Sequence, residues 1–365
     1  MNRWLNERRA LARWLAMVWL MALAGAALGV EPLPKKLRIA SVAYFLGDQP
    51  VYTGAAAVVA QQGWLVAELR KRGVELEWFP APTSAVGPII NEAFANRTID
   101  FAGYGDLPAI IVNASGVETR VVVPNGFGQD TFLVVPTASK AKALADLKGK
   151  RIAVHRGRPW ELPFSRLVHE QGFSYGDFKI YNVNPNAGAA AIAAGGVDAL
   201  YTLSDAYLLE DKGVGRIIWS TKQAPGDWKM RAELWGAKAF IDRYPELTQL
   251  VATAYVKAAY WSAQDENEEA MVAIATRNGQ PESVVRREYD DPATPWKQRF
   301  SPLFADYVLD HYRHAVNYAL AKKLIRRQLT AEQMVEPRFV ETALRELQLE
   351  SFWKESKALA DGKQP

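Results

Sequence analysis

From Leu37 onward, short apolar runs of strand length alternate with stretches whose apolar residues recur at three- and four-residue spacing. The first pattern reads as buried strands and the second as amphipathic helices, so their alternation predicts a largely parallel sheet with crossover helices. Strands are expected over residues 37–43, 74–79, 99–104, 119–123, 131–136, 151–155, 178–183, 199–202 and 217–219. Helices are expected over 54–70, 84–95, 107–114, 161–171, 187–194 and 205–209, and the chain becomes nearly all helical from 241 to 350, with breaks near Gly279, Pro292 and Pro337. Pro, Gly and Asn gather where strands end, at Gly47, Pro80, Gly103, Asn125, Gly157 and Asn184. In open α/β sheets ligands sit beyond the carboxyl ends of the strands, so these exits form the candidate binding surface.

The economical arrangement is an α/β protein of two lobes. Residues 30–128 plus 226–365 would form lobe I, with the helical C-terminal extension packed on it, and residues 129–225 would form lobe II. The hinge would lie near 129–131 and 221–228, where Pro225 and Gly226 fall.

The first 29 residues read as a leader. Arg3, Arg8, Arg9 and Arg13 precede an uncharged run over 15–29 that ends in small residues. That is the layout of a secretory signal peptide, too short to span hydrocarbon comfortably, with cleavage expected between 24 and 30. The competing reading is an uncleaved anchor helix. Export to the periplasm follows, by a route that Arg8-Arg9 alone leaves open between the general and twin-arginine pathways.

Composition narrows the chemistry. With no cysteine, disulfides, thiolate metal sites, a Cys nucleophile and a lipid-bearing Cys are excluded together. The formal charge of +4 shrinks once the Arg-rich leader is removed, and no basic stripe supports nucleic-acid binding. His311 and His314 share a helix face, but no third ligand or HExxH pattern accompanies them, so neither a metal nor another cofactor is expected. No GxSxG elbow or phosphate loop appears either, and an enzyme is not expected.

The loop Arg156-Gly-Arg-Pro-Trp-Glu161 is the most informative local feature. It leads from a strand into a helix expected to begin at Pro159, where free backbone amides attract anions and Arg158, or Arg156, could add a charge-assisted fork. Glu161 argues against a bare inorganic ion; it would suit a solute that also carries a positive group, or it pairs with one Arg on the surface. Tyr104 and Gly105 are contact candidates at another exit, where Asp106 reads as a cap. Ser204 and Asp205 repeat that arrangement in the second lobe. Tyr44, Phe45 and Trp160 could wall a pocket, with Phe127, Trp228 and Trp235 nearby, and Asn125 and Asn186 could supply neutral hydrogen bonds unless they serve turn geometry.

Four segments in order carry a family resemblance: 99–108 with Tyr104-Gly-Asp106, then 144–154 with Leu147-Lys-Gly-Lys150, then Arg156-Gly157, then 193–200 with Gly195-Gly-Val-Asp198. Together they resemble the nitrate/sulfonate/taurine branch of ABC-transporter receptors. The resemblance implies a periplasmic binding protein type II fold, a cleft that closes on a small anionic or zwitterionic solute, no catalysis, and delivery by a monomer to a membrane permease. Aliphatic sulfonates, taurine and sulfate esters are the implied cargo, with nitrate as an alternative. Related pyrimidine-synthesising proteins of thiamine biosynthesis carry a Cys-rich motif that is missing here, and a sensor role would need the same clamp.

Overall fold

The computed structural model describes residues 32–353 except Ala293, so the expected leader lies outside the described residues. The compact body runs from Lys35. Along the chain, β1 (Lys36–Leu46) turns tightly into β2 (Gln49–Val51), followed by α1 (Gly54–Gln62), α2 (Trp64–Arg70), β3 (Glu75–Pro82), α3 (Val86–Ala95), β4 (Phe101–Gly105), α4 (Asp106–Ala114) and β5 (Thr119–Val123). β6 (Phe132–Pro136), β7 (Arg151–Val154), α5 (Glu161–Glu170), β8 (Lys179–Asn182), α6 (Pro185–Ala193), β9 (Ala199–Thr202), α7 (Asp205–Asp211) and β10 (Gly215–Ser220) come next. The chain then returns through β11 (Ala232–Ala237) to α8 (Lys238–Arg243), α9 (Pro245–Ser262), α10 (Glu268–Ala275), α11 (Glu282–Tyr289), α12 (Trp296–Arg299), α13 (Asp306–Ala321) and α14 (Arg338–Glu346).

Two sheets result, one in each α/β lobe. In the first, β1 pairs in parallel with β3 and β4, while β11 lies antiparallel between β4 and β5. In the second, β7 pairs in parallel with β8 and β9, and β6 and β10 close the far edge antiparallel. Apolar side chains on both faces explain the continuous hydrophobic strands, since a sheet covered on both sides needs no polar face. At the hinge Gln129 and Met230 bridge antiparallel, so the outgoing and returning segments run side by side.

Three departures from the sequence reading have physical causes. The helix expected over 54–70 is two, because Gly63 adopts φ 66° between them and ends the first in a left-handed cap. β2 and β11 were not expected; each is short, and β11 contains Glu233 and Gly236, which break an apolar run. The fifth helix keeps its expected start at Glu161, but the first turn placed at Pro159 is a separate turn closed by Glu161 N–H donating to Arg158 O at 2.9 Å. Among the described residues no helix is long and apolar enough to cross a membrane.

Candidate functional site

Parallel pairing sends the exits of β1, β3 and β4 to one edge of the first sheet, and those of β7, β8 and β9 to one edge of the second. The two edges meet. A Cβ on Gly105 would stand 2.0 Å from Pro159 Cγ, so only glycine lets the β7 exit loop press against β4. Leu162 packs into the same apolar cluster as Tyr104 and Trp235, which carries the start of α5 into lobe I.

Within the β7 exit loop the two arginines have opposite fates. Glu161 is 1% exposed, and its carboxylate accepts from Gly157 N–H at 2.5 Å and from Arg156 Nε at 3.1 Å. Arg156 is therefore spent on shaping the loop, and its guanidinium also lies over the Tyr175 ring. Arg158 has no ion-pair partner among the described residues. Its Nη2 donates to Ser84 O across the lobes at 3.1 Å, its Nε donates to His155 Nε2 at 3.4 Å, and burial pushes its pKa down.

Because His155 Nε2 accepts, its proton belongs on Nδ1, and that nitrogen is buried with no partner. Burial first, then the charge of Arg158, lowers the His155 pKa and keeps the ring neutral. The Nε1–H of Trp160, whose ring lies 5.7 Å from that of His155, is also buried and unpartnered. The loop thus holds more donors than acceptors, one of them on a cation. A buried donor left unmatched costs free energy that an oxyanion would recover.

The β9 exit lies one strand away. Ser204 precedes α7, but its side chain makes no capping bond; the hydroxyl instead accepts from Gln280 Nε2 at 3.2 Å and meets Glu288. Asp205 opens the helix, and burial raises its pKa. Tyr44, at the end of β1, hydrogen-bonds Asn278, and burial raises its pKa as well.

Other expected contacts lie elsewhere. Tyr104 is fully buried, because β4 is a central strand covered on both faces, and its hydroxyl donates to Asn91 Oδ1 at 3.1 Å. Trp235 is buried beside it, and Phe127 packs on Tyr307. Trp228 lies beneath the Arg166 guanidinium. Phe45 is 46% exposed at the β1–β2 turn. Asn125 is exposed, and its backbone N–H donates to Glu233 at 2.5 Å. Asn186 is exposed on the first turn of α6, which Asn184 caps by accepting from Ala187 N–H. Asp106 does accept from Leu107 N–H, but its second oxygen lies 2.5 Å from His311 Nε2, and both residues are fully buried.

Sequence reasoning did not find Ser84, Asn278, Gln280 or Glu288, and it did not give His155 a place in the site. Asn278, Gln280 and Glu288 lie close together in sequence but far from the strand exits they approach, and no periodicity links them to those exits. Position at a strand exit was the available signal for Ser84 and His155.

Comparisons with known proteins agree with this architecture. A family model described as "ABC transporter, phosphonate, periplasmic substrate-binding protein" matches residues 60–233. The crystal structure of a protein from Methylobacillus flagellatus KT, described as the periplasmic sulfonate-binding protein SsuA of a sulfonate ABC transporter, is 51% identical, covers 89% of this chain and 98% of its own, and superposes with a TM-score of 0.83. A Bacillus subtilis (strain 168) protein named for binding aliphatic sulfonates is 22% identical, over 79% of this chain and 84% of its own length. The alkanesulfonate-binding protein SsuA from Xanthomonas axonopodis pv. citri, solved with MOPS, shares the fold at 22% identity, with a TM-score of 0.65 over 83% of this chain and 98% of its own.

Proposed function

Because this chain belongs to the sulfonate-binding branch of the periplasmic substrate-binding proteins of ABC transporters, we propose that it captures a small organic sulfonate between its lobes and hands it to a membrane permease without transforming it. In this reading the leader is removed on export, and the mature receptor works in the periplasm as a monomer.

The observation that carries the proposal is Arg158, a half-buried guanidinium in the interlobe contact with no carboxylate partner among the described residues. Taking a cation out of water is costly unless an anion meets it, and a guanidinium fork matches the oxygens of a sulfonate. The unmatched N–H groups of Trp160 and His155 add neutral donors beside it. The same cleft holds Asp205 and Glu288, which favour a monoanion over a dianion. A sulfonate keeps a single charge, whereas a phosphonate gains a second near neutral pH.

The test is titration calorimetry of the mature protein with ethanesulfonate, ethylphosphonate and nitrate. Ethanesulfonate is expected to bind at one site and more tightly than the other two, and Arg158→Ala should weaken it by about a hundredfold, the value of a buried charge-assisted bond. Binding of none of the three, or an Arg158→Ala affinity equal to that of the wild type, overturns the proposal.

A further inference from the structure

The C-terminal extension meets lobe II through α11 and again through α13, and the two contacts differ in kind. Met271 and Ile274 of α10 lie in a lobe I cluster, whereas Val284 of α11 packs with Phe132, Leu200 and Tyr207 of lobe II. Arg287 fixes α11 further by donating to Glu210 at 2.6 Å and to Asp211 at 3.0 Å. That contact is an anchor with an apolar centre.

The contact made by α13 is polar. Tyr312, Ala315 and Ala319 on one side of this helix are buried with Tyr104 and Trp235 in lobe I. His311, His314, Tyr318 and, just past the helix end, Lys322 recur at three- and four-residue spacing, so they share another side. At its start that side meets the hinge: His311 Nδ1 donates to Asp227 O at 2.9 Å, and His314 Nδ1 lies 3.2 Å from Asp227 Oδ2. Arg166 of α5 takes the same carboxylate oxygen from lobe II, at 2.8 Å. Asp227 is thus held from both lobes.

Farther along, the stripe reaches the ligand loop. The Tyr318 hydroxyl, buried and without a hydrogen bond of good geometry, lies beside both the Tyr175 phenol and the Glu161 carboxylate. The Lys322 ammonium stands 4.7 Å from the centre of the Tyr175 ring, and the Tyr175 hydroxyl donates to Glu161 Oε1 at 3.5 Å. Glu161 is the carboxylate that shapes the β7 exit loop through Gly157 N–H and Arg156. Lobe I therefore touches lobe II at the residue that sets the loop carrying Arg158. Single polar contacts of this kind are weak and break readily, unlike the apolar burial at Val284. Such strength suits a joint that opens and shuts.

We propose that α13 is a latch on lobe II: Tyr318 and Lys322, through Tyr175 and Glu161, hold the lobes together before any solute arrives and keep the Arg158 loop in place. Both are positioning residues, acting through Glu161 rather than on the solute. The proposal rests on reading the cleft as the solute site, and it makes affinity depend on a helix that lies outside that cleft.

The test uses the double variant Tyr318→Phe/Lys322→Ala. Because the chain has no cysteine, Arg70→Cys on α2 and Glu170→Cys on α5, both exposed, each take one spin label, and the distance between the labels reports lobe opening. Without solute, the double variant should show longer distances than the labelled protein with Tyr318 and Lys322 intact; with saturating ethanesulfonate the two should agree. Calorimetry should give the double variant about tenfold weaker ethanesulfonate binding, from the loss of two weak contacts. A merely structural role would lower the unfolding midpoint without moving the distances. If the double variant does not fold, Lys322→Ala alone, at an exposed position, replaces it and should move both readouts less, in the same direction. Unchanged solute-free distances, or unchanged affinity, overturn the latch. If ethanesulfonate binds to neither protein, the sulfonate reading falls and the distances alone decide the latch.

Discussion

The charges at the hinge and those in the cleft are treated in opposite ways. At the hinge Lys229 lies 3.0 Å from Asp130 and 2.8 Å from Asp291, all three nearly inaccessible, and the hydroxyls of Thr221 and Thr294 donate to the two carboxylates. Close by, Arg231 and Glu233 pair at 2.5 Å with no exposure at all. In the cleft Arg158, Asp205 and Glu288 have no ion-pair partner among the described residues. Under the proposed function, the buried charge at the hinge is neutralised within the chain, whereas the charge offered to a solute is left open.

The comparison breaks first at the hinge. Lys229→Met removes the ammonium held between Asp130 and Asp291, and should cost about 3–5 kcal/mol in denaturant unfolding. A loss below about 1 kcal/mol would show the triad to be incidental.

Asp100 probes the comparison from the other side, because it is partly buried away from the cleft exits and, among the described residues, its carboxylate accepts only the Arg38 N–H, at 2.8 Å. Burial raises its pKa from 3.8 to about 6. Between those values the folded protein binds more protons than the unfolded chain, so stability falls as pH rises through about 4 to 6, and the penalty is complete above that window. Asp100→Asn keeps an acceptor for Arg38 and should raise stability at pH 7 by about 2 kcal/mol, with no gain at pH 4. An equal gain at both pH values would rule out titration as its source.

Gly105→Ala sharpens the picture for the interlobe contact. The added methyl meets Pro159, so the lobes should close less completely and ligand affinity should fall about tenfold, read by calorimetry, with the unfolding midpoint of the protein little changed. The smallest effect is expected for the stability of Arg158→Ala. With no ion pair to lose, it should change unfolding free energy by no more than about 0.5 kcal/mol while binding collapses.

Much of the fold was legible because strands buried on both faces, such as Val121-Val-Val123 and Leu133-Val-Val135, declare themselves as apolar runs. The place of Arg158 between β7 and α5 was legible too, since a cation at a strand exit beside a helix start is a local pattern. Tyr104 misled, because the exit of a central strand can lie in the core as readily as at the surface, and only the packing of Phe94 and Trp235 decides between them. The contacts of Gln280 with Ser204, 76 residues apart, and of His311 with Asp106, 205 apart, leave no local trace at all. They follow from where α11 and α13 come to rest, which depends on the whole chain.

The passage of α10 and α11 from one lobe to the other has a mechanical consequence. Two crossing segments that run side by side, as at Gln129 and Met230, would let one lobe both swing and twist against the other. The segment at 276–281 adds a further tether, set apart in sequence and ending in a helix fixed to lobe II by Val284 and Arg287. A body held along a line and again at a point off that line keeps little freedom to twist. Under the proposed function, a tether of this kind would steer opening toward a single clamshell path.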